Sequence, residues 1–352
     1  MSGAGGAGRS SPGEGADPGR PRRPAMSDVA ALAGVSHQTV SRVLNGHPSV
    51  LPATRQRVLA AIAELGYRPN RAARALVTRR TGTVGVLASG SELFGPTSAL
   101  VSVERAAREA GLYVSVGTLP RWDAADVAGV LEHFMDEGVD GVVVIAGHDE
   151  AVVAVRAFGA PVPVVMVGPR GRTAGVHTVA VDQYGGARLA VRHLLDLGHR
   201  EVVHLAGPTD WVDARARIDG WRDELTAAGL AADALIPCDW SAERGYEEGR
   251  RMVAGTLPTA VFAANDQLAL GLLHAFAEAG VAVPADVSVV GFDDIAGSSH
   301  FFPPLTTVRQ EFGDLGRRCL ELLVAAIAGQ EAASGMVAPH LVVRDSSGPP
   351  RG

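Results

Sequence analysis

A chain of 352 residues, 47% hydrophobic, is long enough for a small domain and a large one, each with its own core. Its apolar runs fall short of the roughly 18–20 residues that a membrane span requires, so neither a membrane helix nor a secretory leader is expected. The formal net charge of −6 hides a split, because residues 20–80 carry eleven Arg against only Asp28 and Glu64, whereas the rest is acidic. A basic front on an acidic body predicts a polyanion bound at one end of the molecule.

Residues 1–24 are mostly Gly, Ser, Pro and Arg with almost nothing to bury, and read as a disordered tail. Residues 27–66 read as three short helices. Ser27 is a candidate N-cap for the first, which runs to Ala33. Gly34-Val35 breaks it, because glycine tolerates the left-handed conformation of a tight turn. Ser36 can cap a second helix, His37 to Leu44, and Asn45-Gly46-His47-Pro48 ends it. Thr54 is a candidate cap for a third helix, with Val58, Leu59, Ile62 and Leu65 on one face. On a wheel of roughly 100° per residue, Val40, Val43 and Leu44 of the second helix share one arc. His37, Gln38, Ser41 and Arg42 share the opposite one. Gln suits adenine and Arg suits guanine in the major groove, and His can reach base or phosphate. Pro69 ends the third helix, and Asn70 can cap a short Arg-rich stretch that would be marginal as an isolated helix.

From Thr83 the pattern changes to short apolar runs at 84–87, 112–116, 141–145, 163–167, 201–205, 260–263 and 287–291. Amphipathic stretches at 98–110, 126–137, 185–197, 213–228 and 266–279 lie between them. Apolar strands separated by helices predict parallel sheets covered on both faces, with ligands at the carboxyl ends of the strands. Polar groups gather at those ends: Asn265-Asp266-Gln267 after one strand and Asp293-Asp294 after another, with Arg217 and Trp240 as further candidates. Asp, Asn and Arg supply acceptors and donors for adjacent hydroxyls. Trp supplies a flat apolar surface for the C–H face of a pyranose. Cys238 and Cys319 lack metal-ligand spacing and read as buried thiols of a reducing cytoplasm, with no metal or other cofactor.

The run Asp28-Val29-Ala30, Ala33-Gly34-Val35-Ser36 and Thr39-Val40-Ser41-Arg42-Val43-Leu44-Asn45, continued by Gly66-Tyr67-Arg68-Pro69-Asn70, resembles the DNA-binding signature of the lactose-repressor (LacI/GalR) family. Further matches are Ala206-Gly207-Pro208, Ala214 to Arg217, Gly220-Trp221, Asp239-Trp240-Ser241, Ala264 to Gln267, Val290 to Asp294 and Pro303 to Gln310. The resemblance covers about residues 26–345. It implies a small all-α helix-turn-helix domain (25–69) plus a hinge helix (70–81), followed by an α/β periplasmic-binding-protein-like core of two parallel-sheet subdomains (82–345). These subdomains would be 82–181 with 312–339, and 182–308 with 340–345, joined by three crossovers, leaving 346–352 as a tail.

By the same resemblance, Asn45, Asn70 and Arg71 join the DNA contacts, and Leu76 wedges into the minor groove from a hinge helix that folds on DNA. Arg217, Asn265 and Asp293 would hold sugar hydroxyls, Trp240 would stack, and Gln267, Gln310 and Phe312 would support the wall. Leu93 and Pro96 would form an apolar lip on the other subdomain. Lactose-responsive members carry another residue at the position of His37, which implies a different operator preference, and other residues at Gly168, Val181 and Asp213, which leaves the 6-position and aglycone side open to a larger glycoside. The resemblance implies a cytoplasmic repressor of sugar-utilisation genes, released from operator DNA by a galactoside-like inducer. The absence of C-terminal heptads predicts a homodimer on a pseudo-palindromic operator. The alternatives are a corepressor-dependent member and a sugar-binding transport receptor, which would lack the basic front. An enzyme is not expected, because no nucleophile elbow, metal motif or phosphate loop occurs, and adjacent Asp293 and Asp294 do not face each other as hydrolytic carboxylates do.

Overall fold

The computed structural model describes residues 24–44, 46–68, 80–90, 92–168, 177–331 and 333–351, and divides the chain into two compact units, up to Arg79 and from Arg80. The 1–24 tail up to residue 23, and residues 69–79 with most of the expected hinge, lie outside the described residues.

The first unit holds α1 (Met26–Ala33), α2 (His37–Leu44) and α3 (Pro52–Leu65). Two glycines make its corners. Gly34 (φ 63°) and Gly66 (φ 61°) occupy the left-handed region, and each donates its N–H back to the last turn of the helix it ends. Ser36 caps α2 through its Oγ, which accepts from the N–H of Thr39 at 3.2 Å. The two other expected caps are displaced. The N-cap of α1 is Ala25, whose N–H donates to Asp28 at 2.7 Å, because an acid at the third helical position can reach back where Ser27 cannot. The N-cap of α3 is Leu51, with Pro52 supplying a preset φ at the first helical position ahead of Thr54. Val29, Ala33, Val40, Val43, Val58, Ala61 and Tyr67 close a small core.

The second unit is built on two six-stranded sheets. In the first, β1 (Thr83–Ser89) is flanked by β2 (Tyr113–Leu119) and β3 (Gly141–Ile145), followed by β4 (Val164–Val167), β5 (His177–Val181) and β11 (Gly335–Val337). In the second, β6 (Val203–Ala206) is flanked by β7 (Leu235–Pro237) and β8 (Ala260–Ala263), followed by β9 (Ser288–Asp293), β10 (Thr306–Arg309) and β12 (His340–Val342). All pairings are parallel except β10 with β12.

Helices cover both faces of each sheet, so the strands read as unbroken apolar runs rather than alternating ones. On the first sheet, Val84, Val86 and Ala88 face α4 (Phe94–Glu109) and α11 (Phe312–Ile327), while Leu87, Val142 and Val144 face α5 (Ala124–Glu137) and α6 (Asp149–Phe158). Gly85 is required there, because a Cβ would stand 2.6 Å from the ring of Phe134. On the second sheet, α9 (Ala242–Ala254) and α10 (Asp266–Glu278) cover one face, and α7 (Gln183–Asp196) and α8 (Val212–Ala227) the other.

The chain passes between the two lobes three times, from β5 to α7, from β10 to α11 and from β11 to β12. The carboxyl ends of both sheets face a common cleft, whose lining comes from both lobes.

The sequence set 346–352 aside as a tail, but the structure packs its first residues into the second lobe. Ser346 is fully buried, and its Oγ accepts from the N–H of Thr306 at 2.8 Å and donates to the carbonyl of Val289 at 2.6 Å. The Val289 N–H donates to the carbonyl of Ser346 at 2.7 Å, so this segment occupies backbone groups of β9 and β10. His199 ties the next turn down, through Ser288 at 3.2 Å and the carbonyl of Gly348 at 2.9 Å. Ser346→Ala strands one buried N–H and one buried carbonyl. It is expected to lower stability by about 1–3 kcal/mol. Urea unfolding reads this as a lower midpoint at unchanged slope, and an unmoved midpoint would show that these bonds carry no stability.

Candidate functional site

Two surfaces carry residues whose chemistry the packing does not use. In the first unit, α2 buries Val40 and Val43 and leaves His37, Gln38 and Arg42 exposed, with Ser41 half-buried between them. The exposed arc therefore presents an amide, an imidazole and a guanidinium from one short helix. Asn45 lies outside the described residues, as do Asn70, Arg71 and Leu76.

In the second unit, the cleft encloses about 740 Å³. The second lobe forms its floor. Asn265 follows β8 and caps α10, its Oδ1 accepting from the N–H of Leu268 at 2.8 Å while its Nδ2 donates to the carbonyl of Trp240 at 3.0 Å. One amide thus fixes both a helix start and the strand of chain that carries the indole. Trp240 lies flat over Gly207, where a Cβ would meet the ring at 2.2 Å, so that glycine is what seats the aromatic wall.

Asp293 ends β9 with φ 111°, and Asp294 follows with φ 54°. Such conformations cost about 1–3 kcal/mol each for a non-glycine residue and concentrate at functional sites. The strain sends the two carboxylates to different places. Asp294 ion-pairs with Arg309 (2.5 Å) and Arg344 (2.7 Å), away from the cleft. Asp293 lines the cleft and accepts from Gln310 Nε2 at 2.7 Å.

Arg217 reaches the floor from α8. Its Nε donates to Gln183 Oε1 at 3.0 Å, its Nη1 donates to the carbonyl of Ala264, and its Nη2 lies 3.7 Å from Asp293. Its guanidinium stacks on Phe292 at 3.8 Å from the ring centroid. Gln183 in turn donates to Gln310 at 2.9 Å. These two glutamines stand on two of the three crossovers, so the floor is hydrogen-bonded directly to the chain segments that join the lobes.

Burial pushes the Asp293 carboxyl up to about 7 against the pull of Arg217. Burial likewise raises Asp213, which lines the cleft one turn before Arg217, and lowers the Arg217 guanidinium while its acidic neighbours hold it charged. Asp266 is also buried and pushed up to about 6. It serves the fold rather than the cleft, accepting from Ser298 (2.6 Å), Thr307 (2.6 Å) and the N–H of Ile295 (2.9 Å), which ties the loop after β9 to α10.

The first lobe supplies the opposite wall through Leu93, Phe94 and Pro96 at the start of α4, and Ala146-Gly147 after β3. Of the sequence candidates, Leu93, Pro96, Arg217, Trp240, Asn265, Gln267, Asp293 and Gln310 all line this one cavity. Phe312 stands one layer back, edge-on to Phe94 with ring centroids 5.8 Å apart, and props that residue rather than lining the cleft. The sequence reading missed Gln183, Phe94 and Trp211. Gln183 and Trp211 each stand beside a helix start at the carboxyl end of a strand, a position that would have flagged them.

Cys238 and Cys319 are buried free thiols, and no group of three potential metal ligands occurs among the described residues. Among those residues no helix is long and apolar enough to cross a membrane.

A three-helix unit with an exposed polar helix, joined to a two-lobed body with a central cleft, defines a ligand-responsive regulator. The pattern of bacterial regulatory proteins of the lacI family matches residues 25–70, and that of the periplasmic binding protein-like domain matches residues 191–347. The lactose operon repressor of Escherichia coli (strain K12) is 36% identical over 321 residues, covering 91% of this chain and 89% of that one. The transcriptional regulator CelR of Thermobifida fusca is 38% identical over 342 residues, covering 93% and 99%. A crystal structure of the lac repressor dimer bound to operator and the anti-inducer ONPF aligns with a TM-score of 0.81 at 35% identity, over 93% of this chain and 100% of that one. A CelR–cellobiose complex aligns with a TM-score of 0.68 at 35% identity, over 92% and 100%. The chain belongs to the lacI family of bacterial regulatory proteins.

Proposed function

We propose that this protein is a transcriptional repressor of sugar-utilisation genes, released from its operator by a sugar bound in the cleft. The observation that carries the reading is the composition of the floor. A carboxylate, an amide and a guanidinium converge beside a flat indole, which is what neighbouring hydroxyls and the C–H face of a pyranose together require. Relatives named for the lactose operon, and a relative solved with cellobiose, support a sugar as the effector.

On this reading the exposed arc of α2 enters the major groove. Gln38 and Arg42 read base edges, His37 and Ser41 assist, and Asn45, Asn70, Arg71 and Leu76 complete the contacts. Two copies of the chain bind the two halves of a pseudo-palindromic operator, a reading supported by the lac repressor dimer solved bound to operator. The protein acts in the cytoplasm and carries out no catalysis. Sugar hydroxyls at Asp293 and Arg217 bear on the Gln310–Gln183 link, and so on two crossovers, which biases the angle between lobes. Coupling of this kind is reciprocal, so operator weakens sugar binding by the same factor.

The test is a mobility-shift titration on DNA upstream of its own gene, at one stated salt concentration because phosphate contacts make affinity steeply salt-dependent. Release by a galactoside or glucoside supports the reading. Tightening by any compound, purines included, would make it a corepressor system. Gln38→Ala is expected to cost about 1–3 kcal/mol per half-site on operator while leaving non-specific DNA affinity unchanged. Equal losses on both DNAs would remove Gln38 from base readout.

A further inference from the structure

A second aromatic wall stands in the cleft. Trp211 lies just ahead of α8 and lines the cavity together with Trp240. The two ring centroids are 5.7 Å apart and their planes meet at 81°, so the indoles form a corner rather than one extended surface. Trp240 is the inner ring, hydrogen-bonded through its carbonyl to Asn265 and stacked near Arg217. Trp211 is the outer one, reaching across to the first lobe. There its ring covers Gly147, where a Cβ would approach within 2.5 Å, and meets His148 edge-on at 4.6 Å. The N–H of Val212 donates to the carbonyl of Gly147 at 2.9 Å, and Arg215 pairs with Asp149 at 2.5 Å, so both lobes hold this ring at the mouth.

The charges are unequal. Asp213, Asp293 and the exposed Glu92 all line the cavity, against Arg217 as the cation among the lining residues described. A phosphorylated or carboxylated sugar would meet more acidic groups than basic ones.

We infer that the effector is an uncharged disaccharide, with one ring on the Trp240 floor and its second ring against Trp211 at the mouth, beside Asp213. The inference rests on the cleft being the effector site. A cavity of about 740 Å³ is several times the size of a single pyranose, and the two indoles are offset by the order of one sugar residue. Asp213 then accepts a hydroxyl of the ligand, in a position where a neutral donor and not an anion is tolerated.

Titration calorimetry on the full chain with cellobiose, lactose, glucose, galactose and glucose 6-phosphate tests this. The expected result is that one of the disaccharides binds at least about 10-fold tighter than its component monosaccharides, with glucose 6-phosphate weakest. Trp211→Ala is expected to weaken that disaccharide about 10- to 100-fold, because the second ring no longer has an apolar surface to cover it, while the monosaccharide affinity falls far less. Trp211→Phe should restore most of the affinity, and Trp240→Ala should weaken both ligands. A monosaccharide as tight as its disaccharide, or a Trp211→Ala effect equal for both, would overturn the second subsite and leave the effector site standing. Absence of binding by every sugar would overturn the effector site itself, and the subsite with it.

Discussion

Asp293→Asn is expected to produce a repressor that binds operator normally and no longer responds to sugar. The side chain keeps its shape, and the amide can still meet Gln310, so the floor is not emptied. What disappears is the anionic acceptor on a buried strand end whose φ of 111° aims it into the cleft. Hydrogen bonds to a charged group are worth about 1.5–3 kcal/mol each, so losing two from adjacent hydroxyls weakens the sugar about 100-fold or more. Calorimetry measures that loss, and operator titration measures what is retained. Release at the wild-type sugar concentration would remove Asp293 from the site.

The same variant carries a pH signature with a definite sign. Burial raises the folded-state value to about 7 from the ordinary 3.8, so the folded chain holds this proton more tightly than the unfolded chain does. The contribution to stability is therefore fully present below 3.8, and is lost as pH rises through about 7. Sugar binding runs the other way, strengthening as the carboxylate ionises through about 7. Asp293→Asn should flatten this residue's part of both slopes. A wild-type affinity independent of pH between 5 and 8 would mean that the sugar does not use the ionised form.

The sequence showed the skeleton of the cleft because strand ends in a parallel sheet are where polar residues interrupt apolar runs. Asn265 and Asp293 are legible on that ground, and Arg217, Trp240 and Gln310 through their place in family motifs. What stayed hidden has physical reasons. β7, β11 and β12 are three residues long, too short for periodicity to separate from loop. Strand β10 includes Thr306 and Thr307, buried polar residues satisfied largely by Arg344, Ser346, Ser347 and Asp266, which are distant in sequence. Helix α9 looks polar in sequence because it packs largely through Gly245, against the backbone at Leu268, and Gly249, against Ala275, with Met252 as its one buried large apolar side chain. Gln183 has a local signal for position only, a helix start at the carboxyl end of a strand. Its role comes from two crossovers meeting, and only the fold brings residues 183 and 310 together.

Arg217→Met is the second large effect, and it separates the two roles of the floor. The guanidinium is buried on Phe292, satisfies Gln183 and the carbonyl of Ala264, and lies 3.7 Å from Asp293 with Asp213 one turn away. Methionine fills much of the volume but leaves the buried Asp293 and the partly buried Asp213 with no cation, and two acceptors without donors. Removing one partner of a buried pair costs about 3–5 kcal/mol, mostly as the penalty on the charge left behind. The loss should therefore be larger at pH 8 than at pH 5, where Asp293 can take a proton instead. Adding Asp293→Asn to Arg217→Met should recover part of the stability, though not the sugar affinity, because the charge that needed Arg217 is gone while the ligand's partners are gone too. Urea unfolding of the wild type, both single variants and the double variant closes the cycle. Single-variant losses that simply add would show Arg217 and Asp293 to be independent, and the floor would then be two separate groups rather than one charged unit.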